Sequence, residues 1–144
     1  DGVDRRLSQM FMRGRNSAVL PACCVDWERN NFAMLSLWIS LETIKMVVGM
    51  APKTLAGAGW EIDDIDYFVS HQVGRSVQEH YLKKLGIRKD KSVEIYPDYG
   101  NLTSASMPVC FDYLEQNGKL EKGTKILMNS TGSGIVVSQG LYVV

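Results

Sequence analysis

Between Asn31 and Gly59 the apolar residues fall at helical spacing: Leu37, Leu41, Ile44, Val48 and Leu55 are separated by three, four or seven positions. That spacing predicts one long helix over about 32–56, with Asn31 as its N-cap, a kink or division at Pro52 and a stop at Gly57 and Gly59. The pattern then shortens. Ile65-Asp66-Tyr67-Phe68-Val69 is apolar with one charge, as expected of a strand covered on both faces. Val73, Val77, Tyr81 and Leu85 step by four and predict a helix that ends at Gly86. Val93-Glu94-Ile95-Tyr96 reads as a second short strand, and Pro97-Asp98-Tyr99-Gly100-Asn101 carries turn residues at nearly every position. A helix follows from about Thr103 to Gln116, with Pro108 inside it, and Asn117-Gly118 closes it. Thr124–Asn129 and Ile135–Val143 read as strands. The short Gly-rich link Ser130-Thr131-Gly132-Ser133-Gly134 makes them an antiparallel hairpin. Residues 1–31 show no sustained period. Arg13, Arg15, Asn16 and Pro21 read as loop, with one or two short strands around Val19-Leu20 and Cys23–Val25.

Helices alternating with strands and closing on a hairpin predict an α/β fold: a mixed sheet with parallel strands plus a C-terminal antiparallel pair, with helices covering the sheet. At 144 residues, 45% hydrophobic and 22% charged, the chain has the size and composition of one globular domain. Lys+Arg and Asp+Glu are 16 each, so the chain lacks the basic field that a nucleic-acid partner requires. No apolar run reaches the roughly 18 residues of a membrane span. Cys23, Cys24 and Cys110 form neither a disulfide framework nor a zinc motif with His71 and His80. A reduced, cytoplasmic setting is therefore the expectation. The chain opens on Asp1-Gly2-Val3-Asp4 without a Met, which suggests a fragment or trimmed form.

Three features carry candidate chemistry. His71 directly follows a strand, and ligands in open α/β sheets bind at such ends. On position alone it reads first as a histidine satisfied by a neighbouring backbone group. Asn101 lies in the loop after the next strand, where most Asn residues shape the turn. Gly132-Ser133-Gly134 lets backbone N–H groups approach a ligand closely, or simply turns the hairpin. Consecutive parallel strands would place the first two near each other.

The segments around these residues resemble a known family. Asp64-Ile65-Asp66-Tyr67-Phe68-Val69-Ser70-His71-Gln72, Leu85-Gly86-Ile87 with Lys89-Asp90-Lys91, Tyr99-Gly100-Asn101-Leu102-Thr103-Ser104-Ala105-Ser106-Met107-Pro108, Gly118-Lys119-Leu120 with Gly123, and Thr131-Gly132-Ser133-Gly134 resemble, in order and spacing, the C-terminal half of ketoacyl synthase III condensing enzymes. The resemblance runs from about Gly59 to Val144. Residues 32–58 fit the long helix that precedes it, and residues 1–31 stay unmatched, so 32–144 is the expected domain. Two departures stand out. The segment reads His71-Gln72-Val73-Gly74 where the family often has His-Gln-Ala-Asn, and the C-terminal loop reads Gly-Ser-Gly in place of three glycines.

The resemblance implies the C-terminal half of a thiolase fold, with the nucleophilic Cys in an absent N-terminal half. It implies an acyltransferase of fatty acid or related lipid biosynthesis that joins an acyl thioester to a malonyl thioester with loss of carbon dioxide. His71 and Asn101 would donate to the enolate oxygen, and the Ser133 N–H, flanked by Gly132 and Gly134, would serve a second oxyanion. No cofactor or metal is implied. The substrate arm is a phosphopantetheine thioester on acyl carrier protein or CoA. Arg75, Lys83 and Lys84 would meet an acidic carrier protein, unless these lysines are a solvated helix end. Cys110 is expected to pack as a small apolar group, and Cys23 and Cys24 to be structural. The chain alone is thus expected to be inactive and to associate with its Cys-bearing half or with itself, with neither nucleic acid nor membrane as partner. Three alternatives remain: a noncatalytic subunit of a split enzyme, a long-chain acyl-CoA condensing enzyme of the olefin-forming kind, and a hydroxymethylglutaryl synthase-like or chalcone synthase-like polyketide condenser.

Overall fold

A pair of antiparallel strands, β1 (Cys23–Asp26) and β2 (Asn31–Met34), precedes helix α1 (Ser36–Ala56). The computed structural model describes residues 23–26, 31–34, 36–132 and 135–144, with side chains from residue 39 onward except at 133 and 134. The helix thus starts at Ser36 rather than near Phe32, and Asn31 is a strand residue, not an N-cap. The segment Asn31-Phe32-Ala33-Met34 takes its backbone partners from β1, with Phe32 opposite Val25, and aromatic and β-branched residues favour strands.

Helix α1 buries Thr43, Ile44, Val47, Ala51 and Leu55 along one stripe and leaves Leu41 and Met46 exposed. Pro52 does not divide it as the sequence suggests. Its ring lies on the exposed face, and the helix continues past it for one more turn to Ala56. The helix stops at the predicted glycines, where Gly59 adopts φ 68 and the Trp60 N–H closes on the Leu55 carbonyl at 3.0 Å.

The remainder builds the sheet and its cover. Strand β3 (Tyr67–Ser70) leads into α2 (Arg75–Leu85), a one-turn helix α3 (Tyr96–Tyr99) and α4 (Ser106–Gln116), followed by β4 (Lys125–Gly132) and β5 (Val136–Val143). The order in the sheet is β3-β4-β5, with β3 parallel to β4 and β4 antiparallel to β5, the mixed topology that the sequence predicts. The hairpin is tighter than expected. Ser130, Thr131 and Gly132 belong to β4 and pair with Ser138, Val137 and Val136. The last predicted helix also begins later, with a 3-10 turn over Thr103–Ala105 ahead of α4.

Alternation along the strands sends side chains to two apolar layers. Phe68 and Leu127 face Ile44, Val47 and Leu55 of α1 and Tyr81 and Leu82 of α2. Val69 and Ile126 face Cys110 and Leu114 of α4, together with Val93 and Ile95. Burying each of the large side chains contributes about 1.5–3 kcal/mol. With helices on both faces, β3 reads as the continuous apolar run seen in the sequence.

The predicted second strand at Val93–Tyr96 does not form. The segment touches the sheet through one bridge, Phe68 to Ser92, with the Val93 N–H donating to the Phe68 carbonyl at 3.1 Å. A side chain takes the place of the rest of the ladder. The buried Gln72 amide donates from Nε2 to the Val93 carbonyl (2.6 Å), and its Oε1 accepts from the N–H groups of Ile95 (2.9 Å) and Tyr96 (3.0 Å). Once those groups are satisfied, the chain can leave the sheet without orphaned backbone donors.

Candidate active site

His71 is the first residue past β3, where its backbone N–H donates to the Asn129 carbonyl of β4 at 2.8 Å. The ring is half-buried and reaches across to the loop ahead of α4, with Nδ1 3.0 Å from the carbonyl oxygen of Thr103. A carbonyl only accepts, so the contact is a hydrogen bond in the form of the ring that carries a proton on Nδ1. Nε2 has no partner among the described residues.

Asn101 is exposed and arrives at the same loop by a different route. Gly100, at φ 67 and ψ −150, occupies a backbone region essentially restricted to glycine, and reverses the chain after α3. The Asn101 Oδ1 then accepts the Thr103 N–H at 2.8 Å, an Asx-type turn. Thr103 is held at φ 52, the left-handed region, and is the one non-glycine residue there among the described residues. Its N–H donates to Asn101, and its carbonyl accepts the Ser106 N–H and faces His71 Nδ1, so both candidate side chains close on one residue's backbone. Their remaining polar atoms, Nε2 of His71 and Nδ2 of Asn101, have no protein partner among the described residues. The satisfied-histidine and turn-asparagine readings both hold, and each leaves one atom available for chemistry.

Gly100→Ala is expected to cost about 1–3 kcal/mol through backbone strain alone. A Cβ at this position would meet nothing within 4 Å. A lowered urea midpoint with unchanged slope would show the effect.

The other predicted residues lie at varying distances from this pair. Gly132 ends β4, three residues past the Ser70–Asn129 pair and so roughly 10 Å further along the same edge of the sheet. Ser133 and Gly134 fall outside the described residues. Arg75 opens α2, near His71, beside the Tyr96 hydroxyl. Burial pushes that hydroxyl up, the Glu94 carboxylate adds to the rise through its charge and a 3.2 Å hydrogen bond, and the Arg75 guanidinium opposes it. Lys83 and Lys84 are exposed in the last turn of α2, roughly 12 Å along its axis from Arg75, so these three do not form one cluster. Gly74, at φ 153, has a backbone that L side chains rarely adopt, so the Asn expected from the resemblance does not fit here without a backbone shift. His80 is exposed, with Nδ1 2.6 Å from the Ser76 carbonyl on its own helix.

Cys110 is fully buried in the layer between the sheet and α4 and accepts a 3.3 Å hydrogen bond from Gln72 Nε2. Burial pushes its thiol up to about 12, which leaves it no nucleophile at neutral pH. Below its ordinary value of 9.0 the thiol is neutral whether the chain is folded or not. Above that value the unfolded chain releases the proton first, so the fold loses up to about 1.4 kcal/mol per pH unit until pH approaches about 12. Urea unfolding at about pH 8 and about pH 10 is expected to show this loss, and Cys110→Ala to flatten it.

Gln72 is the residue that reading for chemistry passed over. It appears in the sequence only as a polar side chain between a strand and a helix, yet it is 1% exposed and ties the end of β3 to the segment leading to Asn101. Among the described residues no group of three or more metal-ligating side chains occurs, and no helix is long and apolar enough to cross a membrane.

A mixed sheet with helices on both faces, and with a histidine and an asparagine converging at its carboxyl edge, defines a thiolase-like α/β domain. The chain belongs to the family of 3-oxoacyl-[acyl-carrier-protein] synthase III C-terminal domains, whose model matches residues 55–143. It is 35% identical over 92 residues to the beta-ketoacyl-[acyl-carrier-protein] synthase III of Clostridium acetobutylicum, covering 64% of this chain and 28% of that protein. It is also 35% identical over 92 residues to the acyl-CoA:acyl-CoA alkyltransferase of Xanthomonas campestris, covering 61% and 27%. Among solved structures, the 3-oxoacyl-(acyl carrier protein) synthase III of Xanthomonas oryzae superposes with a TM-score of 0.76 at 28% identity, over 85% of this chain and 36% of that one. Cerulenin-bound Xanthomonas campestris OleA gives 0.77 at 28% identity, over 85% and 35%. The chain thus spans little more than a third, or less, of the length of these relatives.

Proposed function

We propose that this domain supplies the enolate-stabilising side of a decarboxylating Claisen-condensing site. The observation that supports it is the shared hold of His71 and Asn101 on Thr103, which leaves Nε2 and Nδ2 unpartnered, among the described residues, at the carboxyl edge of the sheet. An acyl group is carried as a thioester on a Cys of an N-terminal half, since Cys110 is buried and its thiol stays protonated. A malonyl thioester enters on the phosphopantetheine arm of acyl carrier protein or CoA. Its carboxylate carbon–carbon bond breaks, carbon dioxide leaves, and the electron pair moves through the α-carbon to the thioester oxygen. Asn101 donates to that oxygen from Nδ2. His71 donates to the same oxygen from Nε2. The enolate carbon then attacks the acyl thioester and expels the Cys thiolate. The Ser133 N–H, between Gly132 and Gly134, serves the oxyanion of that second step. Preset donors stabilise developing charge without reorganising, and in reactions of this type that stabilisation usually lowers the barrier more than any other single effect.

Arg75 at the site end of α2, and Lys83 and Lys84 at its far end, steer an acidic carrier protein from two positions. A second reading rests on the 35% identity to an acyl-CoA:acyl-CoA alkyltransferase, which points to CoA thioesters on both sides of the reaction. The domain assembled with a Cys-bearing half should release carbon dioxide from malonyl thioester. Condensation of two acyl-CoA molecules without that release would favour the second reading, and no turnover of either substrate would remove both.

A further inference from the structure

We propose that Asn117 is a site of spontaneous amide-to-acid modification, and that the C-terminal cap of α4 holds the reaction back in the folded chain. Asn117-Gly118 is the one Asn-Gly pair in the sequence. The chemistry needs only water. The Gly118 backbone nitrogen attacks the Asn117 Cγ and loses its proton, the Cγ–Nδ2 bond breaks, and ammonia leaves. Water then opens the cyclic imide at either carbonyl, which gives Asp or a β-linked isoaspartate. A glycine after the Asn leaves the attacking nitrogen unhindered, and the fold requires that glycine. Helix α4 ends in a Schellman cap: the Gly118 N–H donates to the Glu115 carbonyl at 3.0 Å and the Lys119 N–H to the Leu114 carbonyl at 2.9 Å, with Gly118 at φ 64. A side chain at Gly118 would be strained in that left-handed conformation. The residue that shapes the helix end therefore also creates the reactive pair.

The closed cap disarms the pair in three ways. The attacking nitrogen keeps its proton engaged with the Glu115 carbonyl. The Asn117 amide is fixed by the bond from Nδ2 to the Tyr113 carbonyl at 2.7 Å. At ψ 9 the Gly118 nitrogen nearly eclipses the Asn117 nitrogen. The imide ring needs it to eclipse Cβ instead, and a tetrahedral Cα cannot present both. Asn117 and Gly118 are exposed, so the reaction proceeds once the last turn of the helix frays. The acid product lacks the donor to Tyr113 and adds a negative charge at the end of the helix that is itself negative, so the modified cap closes less well.

The test incubates the whole chain at mildly alkaline pH, in buffer and in urea, and maps amide-to-acid conversion by the mass of its peptides. Conversion should concentrate at Asn117 in both conditions and run at least about tenfold slower in buffer, because the last turn must open first. The slowing should match the protection of the Gly118 amide against hydrogen exchange, since both processes need its bond to Glu115 broken. Asn129, fully buried in β4, is the internal reference and should stay unconverted in buffer. Lys119→Pro deletes one N–H of the cap without touching a reacting atom, so it should speed conversion in buffer and leave the rate in urea unchanged. Asn117→Asp, which carries the side chain of one product, should exchange its Gly118 amide faster than the unsubstituted chain. The comparison of buffer with urea uses no variant and remains decisive even if Lys119→Pro fails to fold. Equal rates at Asn117 in buffer and in urea, conversion concentrated at another Asn, or a folded Lys119→Pro chain that converts no faster would overturn the inference. No activity assay enters these measurements, so their outcome is separate from that of the condensing reading.

Discussion

Replacing Asn101 or His71 by Ala is expected to lower the rate of carbon dioxide release from malonyl thioester by about a hundred- to a thousandfold each, in the domain assembled with its Cys-bearing half. The magnitude follows from removing one preset donor where negative charge develops on the thioester oxygen, a loss of about 2.7–4 kcal/mol of transition-state stabilisation. The loss should fall on kcat rather than KM, because the interaction strengthens only as the enolate forms. The double variant should lose less than the product of the single losses. Both side chains bind the Thr103 backbone, and removing either one disturbs the placement of the other. Asn101→Asp should lose activity as fully as Asn101→Ala, since it keeps the turn but lacks the donor. Unchanged release in either Ala variant would take that side chain out of the chemistry.

The largest effect on stability is expected at Gln72. Substitution by Leu keeps the volume approximately and strips the partners from the buried Val93 carbonyl and Ile95 N–H and from the half-buried Tyr96 N–H, around a side chain that is 1% exposed. Leaving a buried backbone group unsatisfied costs about 1–3 kcal/mol, so the combined loss should exceed about 3 kcal/mol. That is a large part of the stability of an ordinary domain. The damage should spread to the site, because the segment released by Gln72 carries α3, Gly100 and Asn101. Chemical denaturation of the Leu variant measures the loss, and proton–nitrogen spectra report whether the loop at 101–105 loses its fixed conformation. A shift below about 1 kcal/mol would mean that water or a rearranged backbone replaces the amide.

The two positions differ in how far they could be read from the chain. The long helix, the strand at Tyr67–Ser70, the helix at Arg75–Leu85 and the final hairpin follow from hydrophobic period and from glycines at their ends. His71 was legible as the residue where a strand stops, and Asn101 as a member of a dense turn. The errors came where a local pattern competed with a distant partner. Asn31–Met34 pairs with β1 instead of starting the helix. Val93–Tyr96 has the composition of a strand, but its backbone groups are bound by a side chain more than twenty residues earlier.

The amino-acid order by itself determined which faces are apolar, where the chain must turn, and which side chains end up near the carboxyl edge of a sheet, because each of these depends on neighbours within a few residues. Only the tertiary structure decided that the Gln72 amide stands in for a strand and that a strained threonine joins His71 to Asn101. The contacts made by the Gln72 and His71 side chains link residues 21 to 32 positions apart, and no local period encodes a contact that exists only once two separate segments have packed on the same sheet.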